Sequence, residues 1–157
     1  MVEYRFLTEE NREELEAVKQ LFREYTESLG LDLGFQDFEE ECKALPGKYA
    51  APDGALLLAL VDGEAAGCIA VRKSAERICE MKRLYVRDQY RGLKIGKTLV
   101  QMIIEKAEQL SYDYMRLDTL ATMTSAQALY RAFGFYEIEP YIFNPLDGAM
   151  YMERKLR

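Results

Sequence analysis

Hydrophobic and polar positions along the chain recur with two different periods, and turn residues mark the changes between them. Residues 2–7 alternate, with Tyr4 and Phe6 on one side and Arg5 between them, which predicts a short strand. The period then lengthens. Leu15, Val18, Phe22, Tyr25 and Leu29 recur every three to four positions on a segment whose other face is rich in Glu, the pattern of an amphipathic helix. Thr8 is its expected N-cap, Glu9 and Glu10 fill a first turn where acids oppose the helix dipole, and Gly30 is the expected end. Asp37 with Glu40 three residues on predicts a second, shorter helix that stops near Leu45, since Pro46-Gly47 cannot continue it.

Pro52-Asp53-Gly54 is a turn, and residues 55–61 and 64–71 are apolar runs joined by Asp62-Gly63, a type I′ signal that predicts a hairpin. Residues 78–86 extend it into an antiparallel meander after Ser74-Ala75-Glu76-Arg77. There Ile78, Cys79, Met81, Leu84, Tyr85 and Val86 put bulk on both faces, as in a strand covered on both sides, although Glu80 and Lys82 interrupt the run. Ile95, Leu99, Met102, Ile103, Ala107 and Leu110 then form one stripe of a helix, with Lys97, Gln101, Glu105 and Glu108 facing away. Residues 114–119 read as a strand reached by a parallel crossover. Thr124 or Ser125 caps a helix to Phe133, ended by Gly134. Residues 135–138, a loop around Asn144-Pro145-Leu146-Asp147-Gly148, and residues 149–156 close the sheet. The fold class expected is α/β (α+β): a mixed, mostly antiparallel central sheet with helices on both faces, residues 1–157 making a single domain.

Composition narrows the chemistry. A chain of 157 residues buries enough surface for one core without a metal or disulfide staple. No run approaches the roughly 20 apolar residues of a membrane span, and residues 1–7 lack a signal peptide's apolar core, so a cytoplasmic protein is expected. Cys42, Cys68 and Cys79 are scattered over three predicted elements without C-x-x-C spacing, which fits reduced thiols in a core. The absence of histidine removes Ser-His and Cys-His nucleophile machinery and the commonest zinc ligand, and no metal is expected. A net charge of -6 argues against nucleic-acid binding. Within that acidic chain, residues 82–97 carry six basic side chains against Asp88 alone. Such an island is either a solvated basic face or the receptor of one polyanion.

The segment from Arg87 to Gly96 favours the polyanion. It joins a strand to a helix and carries Arg87, Arg91, Lys94 and the pair Gly92 and Gly96, so unpaired N–H groups of a helix start and close backbone approach coincide with cations. Gly96-Lys97-Thr98 matches the end of a triphosphatase P-loop, but its first glycine belongs at position 91, which is Arg91. The run Arg91-Gly92-Leu93-Lys94-Ile95-Gly96 instead resembles the [QR]-x-x-G-x-[GA] loop of the GCN5-related N-acetyltransferase (GNAT) superfamily, with Lys94 at the middle glycine. Residues 125–135 resemble that family's later helix, A-x-x-L-Y-x-x-x-G-F, met at Ala126, Leu129, Tyr130, Gly134 and Phe135.

The resemblance implies the acyl-CoA N-acyltransferase fold and an enzyme that passes the acetyl group of acetyl-CoA, its co-substrate, directly to a primary amine of a small molecule or peptide. A non-catalytic acyl-CoA-binding sensor is the alternative. By the same resemblance, Leu84, Tyr85 and Val86 would run along the pantetheine arm. Arg91, Gly92, Leu93, Lys94, Ile95, Gly96 and Lys97 would hold the pyrophosphate, and Tyr130 would give a proton to the leaving thiolate. Glu80, which matches the catalytic glutamate of some members, is expected as the base, directly or through water, ahead of Asp118, which matches the base of others. Gln36, Tyr49 and the acids between them fall where the family lines its acceptor side, and Met123 stands where the family often has a CoA-contacting asparagine. The apolar carboxyl-terminal strands could pair two subunits into a homodimer.

Overall fold

The computed structural model describes residues 1–29, 38–142, 144, 146 and 148–156. Seven strands form one sheet in the order β1-β2-β3-β4-β5-β7-β6. They are β1 (Val2–Phe6), β2 (Ala55–Val61), β3 (Glu64–Ala75), β4 (Ile78–Val86), β5 (Tyr114–Leu120), β6 (Tyr136–Ile138) and β7 (Ala149–Lys155). Neighbours are antiparallel except β4 and β5, which the helix α3 (Ile95–Gln109) connects in parallel. The helices α1 (Arg12–Leu29), α2 (Phe38–Ala44) and α4 (Thr124–Ala132) complete the fold. No helix among the described residues is long and apolar enough to cross a membrane.

The layers follow from strand periodicity. Along β2, Leu56, Leu58 and Leu60 join a core with Leu15, Val18, Leu21 and Phe22 of α1, while Leu57 and Ala59 join the opposite core with Leu99, Val100, Ile103 and Ala107 of α3. A strand buried on both faces reads as an unbroken apolar run, and that is why the hairpin was legible. Its turn is as expected, with positive φ at Asp62 (48°) and Gly63 (84°).

Two boundaries differ from expectation. α1 begins at Arg12, not after Thr8, because Thr8 and Asn11 close a turn first: Thr8 N–H donates to Asn11 Oδ1 at 2.8 Å, and Leu15 N–H then opens the helix on Asn11 O at 2.9 Å. Glu13 and Glu14, rather than Glu9 and Glu10, occupy its first turn. β3 runs on to Ala75, because β4 pairs with it down to Ala75 opposite Ile78. Gly30, Gln36 and Asp37, expected at helix ends or the acceptor side, lie outside the described residues, as do Pro145 and Asp147 of the last loop.

Two irregularities in β4 shape the site. Cys68 pairs with Tyr85 but Ala70 with Lys82, so two residues of β4 oppose Ile69 and the strand bulges at Arg83, whose φ is 63°. On its other edge β4 pairs with β5 only at Ile78, Cys79 and Glu80 and then diverges from it. The parallel strands part like a V that opens toward the glycine loop.

Candidate active site

Two cavities occupy the V and its mouth. The outer one, about 300 Å³, is walled by Leu84, Tyr85 and Val86 of β4, by Arg91, Gly92, Lys94, Ile95 and Gly96 of the loop, and by Ser125, Ala126 and Leu129 of α4. Residues expected to hold a coenzyme from opposite sides of it thus come together. Leu93 and Lys97 do not line the cavity; Leu93 is exposed beside it and Lys97 sits in the first turn of α3. Ser125, rather than Thr124, faces the space next to Met123.

The loop keeps a glycine-like conformation without the glycine. Lys94 precedes α3 with φ 60° and ψ 27°, the left-handed region that a glycine enters freely, so the turn forms without a glycine while an ammonium is added. Gly92 has φ 95° and open space where a Cβ would stand. The basic island divides on inspection. Lys82 pairs with Asp118, Arg83 with Glu41 and Arg87 with Glu24, so these cations belong to the protein's own ion pairs. Arg91 has only an exposed contact to Asp88, and Lys94 and Lys97 have no acidic partner among the described residues. Three cations therefore remain at the helix start for a polyanion.

Glu24 reaches across from α1 to fix the end of β4. It accepts from Arg87 Nη2 at 2.7 Å and from Tyr85 Oη at 3.3 Å, and the Arg87 hydrogen bond holds its carboxyl below the usual range.

The inner cavity, about 50 Å³, lies deeper in the V. Lys82, Arg83 and Leu84 of β4 face Leu117, Asp118 and Thr119 of β5, with Tyr25, Met123, Tyr130, Asn144 and Leu146 around them. Tyr130, expected as the proton donor, packs its ring 5.8 Å from Phe135, and its hydroxyl makes no hydrogen bond to a described residue; burial pushes its phenol above the ordinary value. Asp118 accepts from Asn144 Nδ2 at 3.0 Å and has Lys82 Nζ at 3.7 Å. Burial pulls the Lys82 ammonium below its usual pKa, opposed by Asp118 and Glu80.

Glu80, the other carboxylate expected as a base, lines neither cavity. It sits at the last β4–β5 pair, where Arg72 Nε donates to Oε1 at 2.9 Å and Tyr141 Oη donates to Oε2 at 2.8 Å. Both oxygens are thus committed within the protein. Tyr49 is likewise interior, edge-on to Phe22 at 6.5 Å in the core beneath α1. Tyr25, Lys82 and Asn144 were not singled out by sequence. Tyr25 carried only the signal of a core stripe on α1, and Lys82 that of a polar residue interrupting an apolar strand at the start of the basic island.

The three cysteines are buried and line neither cavity. Among the described residues no group of three or more Cys, Asp or Glu could hold a metal ion.

Comparison with known proteins agrees with this geometry. Residues 15–135 match the model of the acetyltransferase (GNAT) family. An uncharacterized N-acetyltransferase of Schizosaccharomyces pombe is 43% identical over 146 residues, covering 92% of this chain and 90% of the relative. Another, of Dictyostelium discoideum, is 36% identical and covers 92% of this chain and 96% of its own. In fold, the chain is similar to a GNAT-family acetyltransferase from Staphylococcus aureus, with a TM-score of 0.78, 24% identity and 100% of both chains covered. It is also similar to an N-acetyltransferase from Thermoplasma acidophilum crystallised with coenzyme A, with a TM-score of 0.75, 21% identity and 99% of both chains covered.

Proposed function

The chain belongs to the acetyltransferase (GNAT) family, and from that premise we propose that it transfers the acetyl group of acetyl-CoA directly to a primary amine. The observation that carries this reading is the parting of β4 from β5. It leaves the main chain of Leu84, Tyr85 and Val86 without a strand partner on the side of β5, between a cationic glycine loop and a buried phenol. Unpaired backbone groups next to a cavity require hydrogen-bond partners, and an amide-bearing pantetheine arm supplies them. The pyrophosphate lies against the amides of residues 91–96 with Arg91, Lys94 and Lys97 nearby. That the similarly folded Thermoplasma acidophilum protein was crystallised with coenzyme A supports the choice of coenzyme.

The two cavities share Tyr25, Leu84 and Met123, so the thioester at the inner end of the arm meets an acceptor entering the deeper cavity. Holding two reactants in one geometry is worth several kcal/mol of the barrier on its own, roughly 7–11 in the best cases. The amine attacks the thioester carbonyl, a proton leaves the nitrogen, and the tetrahedral adduct expels the CoA thiolate. Tyr130 is kept protonated by its burial and delivers a proton to that sulfur. Of the two carboxylates, Asp118 borders the reacting space and takes the amine proton directly or through water, while Glu80 supports the wall behind it. The absence of a cysteine from both cavities favours direct transfer over an acetyl-cysteine intermediate.

Calorimetric titration with acetyl-CoA and a free-thiol assay over a broad amine panel test this. The unaltered protein is expected to bind acetyl-CoA and release CoA. Tyr130→Phe is expected to keep the affinity and lower kcat by roughly 100-fold. Tight binding without turnover on any amine would instead identify an acyl-CoA sensor, and no binding at all would remove the reading.

A further inference from the structure

The inner cavity carries more charge than acetyl transfer alone needs. Its walls hold two cations, Lys82 and Arg83, and one anion, Asp118. Arg83 is answered from behind by Glu41, whose two carboxylate oxygens lie 2.8 and 3.2 Å from its guanidinium. Arg72, Glu80 and Tyr141 form a separate closed set at the root of the V. Lys82 and Asp118 are the pair that faces the space, both side chains largely buried at 4% and 7% exposure.

Their spacing is informative. At 3.7 Å, Lys82 Nζ and Asp118 Oδ1 are in Coulombic contact but beyond good hydrogen-bond length, although each is well desolvated. The amine and the carboxylate of an α-amino acid are three covalent bonds apart, on the order of 3 Å. Laid against the pair in the opposite sense, such a molecule sets its carboxylate on Lys82 and its nitrogen on Asp118. An ammonium has three donors, so Lys82 accepts a ligand carboxylate in addition to its other contacts.

Charge pairing agrees: the attacking amine must be neutral and can hydrogen-bond Asp118, while the Lys82 ammonium answers the ligand carboxylate and Arg83 keeps Glu41. Size agrees as well: about 50 Å³ admits a small polar headgroup equivalent to a few waters, not a folded chain.

We propose that the acceptor is a small α-amino acid, its carboxylate paired with Lys82 and its amine against Asp118. The inference rests on the acetyl-transfer reading and specifies its substrate class. Lys82 then touches the substrate as a specificity residue while taking no part in the proton transfers.

The test is CoA release with the common α-amino acids, their carboxamides, and the matching amines that lack a carboxylate. At least one amino acid is expected to exceed its own amide by about 10- to 100-fold in kcat/KM, the value of a charged hydrogen bond. Lys82→Met is expected to bring that ratio to about one, and Lys82→Arg to preserve it, with acetyl-CoA affinity by calorimetry unchanged in both. Should Lys82→Met fail to fold, thermal shift of the unaltered protein with coenzyme A decides: the best amino acid raises Tm and its amide does not. Amides or plain amines used as well as the amino acids, or other amines acetylated while no amino acid is, would overturn the inference alone, whereas acetyl-CoA binding without turnover on any amine would overturn the transfer reading with it. Failure to bind acetyl-CoA would likewise overturn the transfer reading beneath it.

Discussion

At the scale of single residues, environment separates side chains that the sequence leaves equivalent. Glu80 and Asp118 are both carboxylates on neighbouring strands, yet Glu80 is locked by Arg72 and Tyr141 whereas Asp118 borders the inner cavity. Asp118→Asn is therefore expected to lower kcat by about 10- to 100-fold and, because it leaves the buried Lys82 ammonium without its carboxylate, to lower Tm by several degrees as well. Glu80→Gln removes the charge facing a half-buried Arg72, so it is expected to lower Tm by several degrees and kcat less. Equal kcat losses in the two variants, measured beside thermal melts, would reject this division. Tyr130 and the loop from Arg91 to Gly96 were legible because each belongs to a local pattern of a few consecutive positions. Lys82, Tyr25 and Asn144 were not, because they come from three separate segments that converge only when the sheet opens.

At the scale of elements, the meander and both long helices follow from periodicity, since a two-sided strand and a one-sided helix leave different marks on sequence. The bulge at Arg83 and the separation of β4 from β5 leave none. A bulge is a mismatch between two strands, and separation is an absence of pairing, so neither resides in one stretch of chain. The strand next to β4 holds the bulge in place. Gly67 of β3 lies so close that a Cβ on it would stand 2.7 Å from Tyr85 O and 3.2 Å from Val86 Cγ2. Gly67→Ala must therefore push the end of β4 outward. It is expected to cost about 1–3 kcal/mol of stability and to weaken acetyl-CoA binding, seen in denaturant melts and calorimetry. A normal affinity in a destabilised protein would mean that the coenzyme does not use this strand.

At the scale of the whole molecule, two cores on opposite faces of one sheet bury phenols and thiols that cannot ionise where they stand. Burial raises Cys79 from an ordinary 9.0 to about 12, and burial with the nearby Asp53 raises Tyr112 from 10.0 to about 12. Tyr130 moves in the same direction. An unfolded chain releases these protons first, so above the ordinary values the folded state holds more protons and stability falls as pH rises. Thermal melts are expected to be nearly level up to about pH 8 and to decline steadily between about pH 9 and about pH 12. A flat profile across that interval would show the groups to be hydrated. One sheet carries both cavities, and they meet at a junction of three shared lining residues, Tyr25, Leu84 and Met123.

That junction doubles as a gauge of acyl length. Tyr25 is a rigid ring and Leu84 is branched, but Met123 is a flexible thioether tethered to Thr119 Oγ1 at 3.8 Å, so it is the wall that yields. A four-carbon acyl chain is expected to displace it where the two-carbon acetyl does not. Met123→Ala is thus expected to raise the preference for butyryl-CoA over acetyl-CoA by about tenfold in kcat/KM, converting a position that lacks the family's asparagine into the selector of which carboxylic acid is transferred.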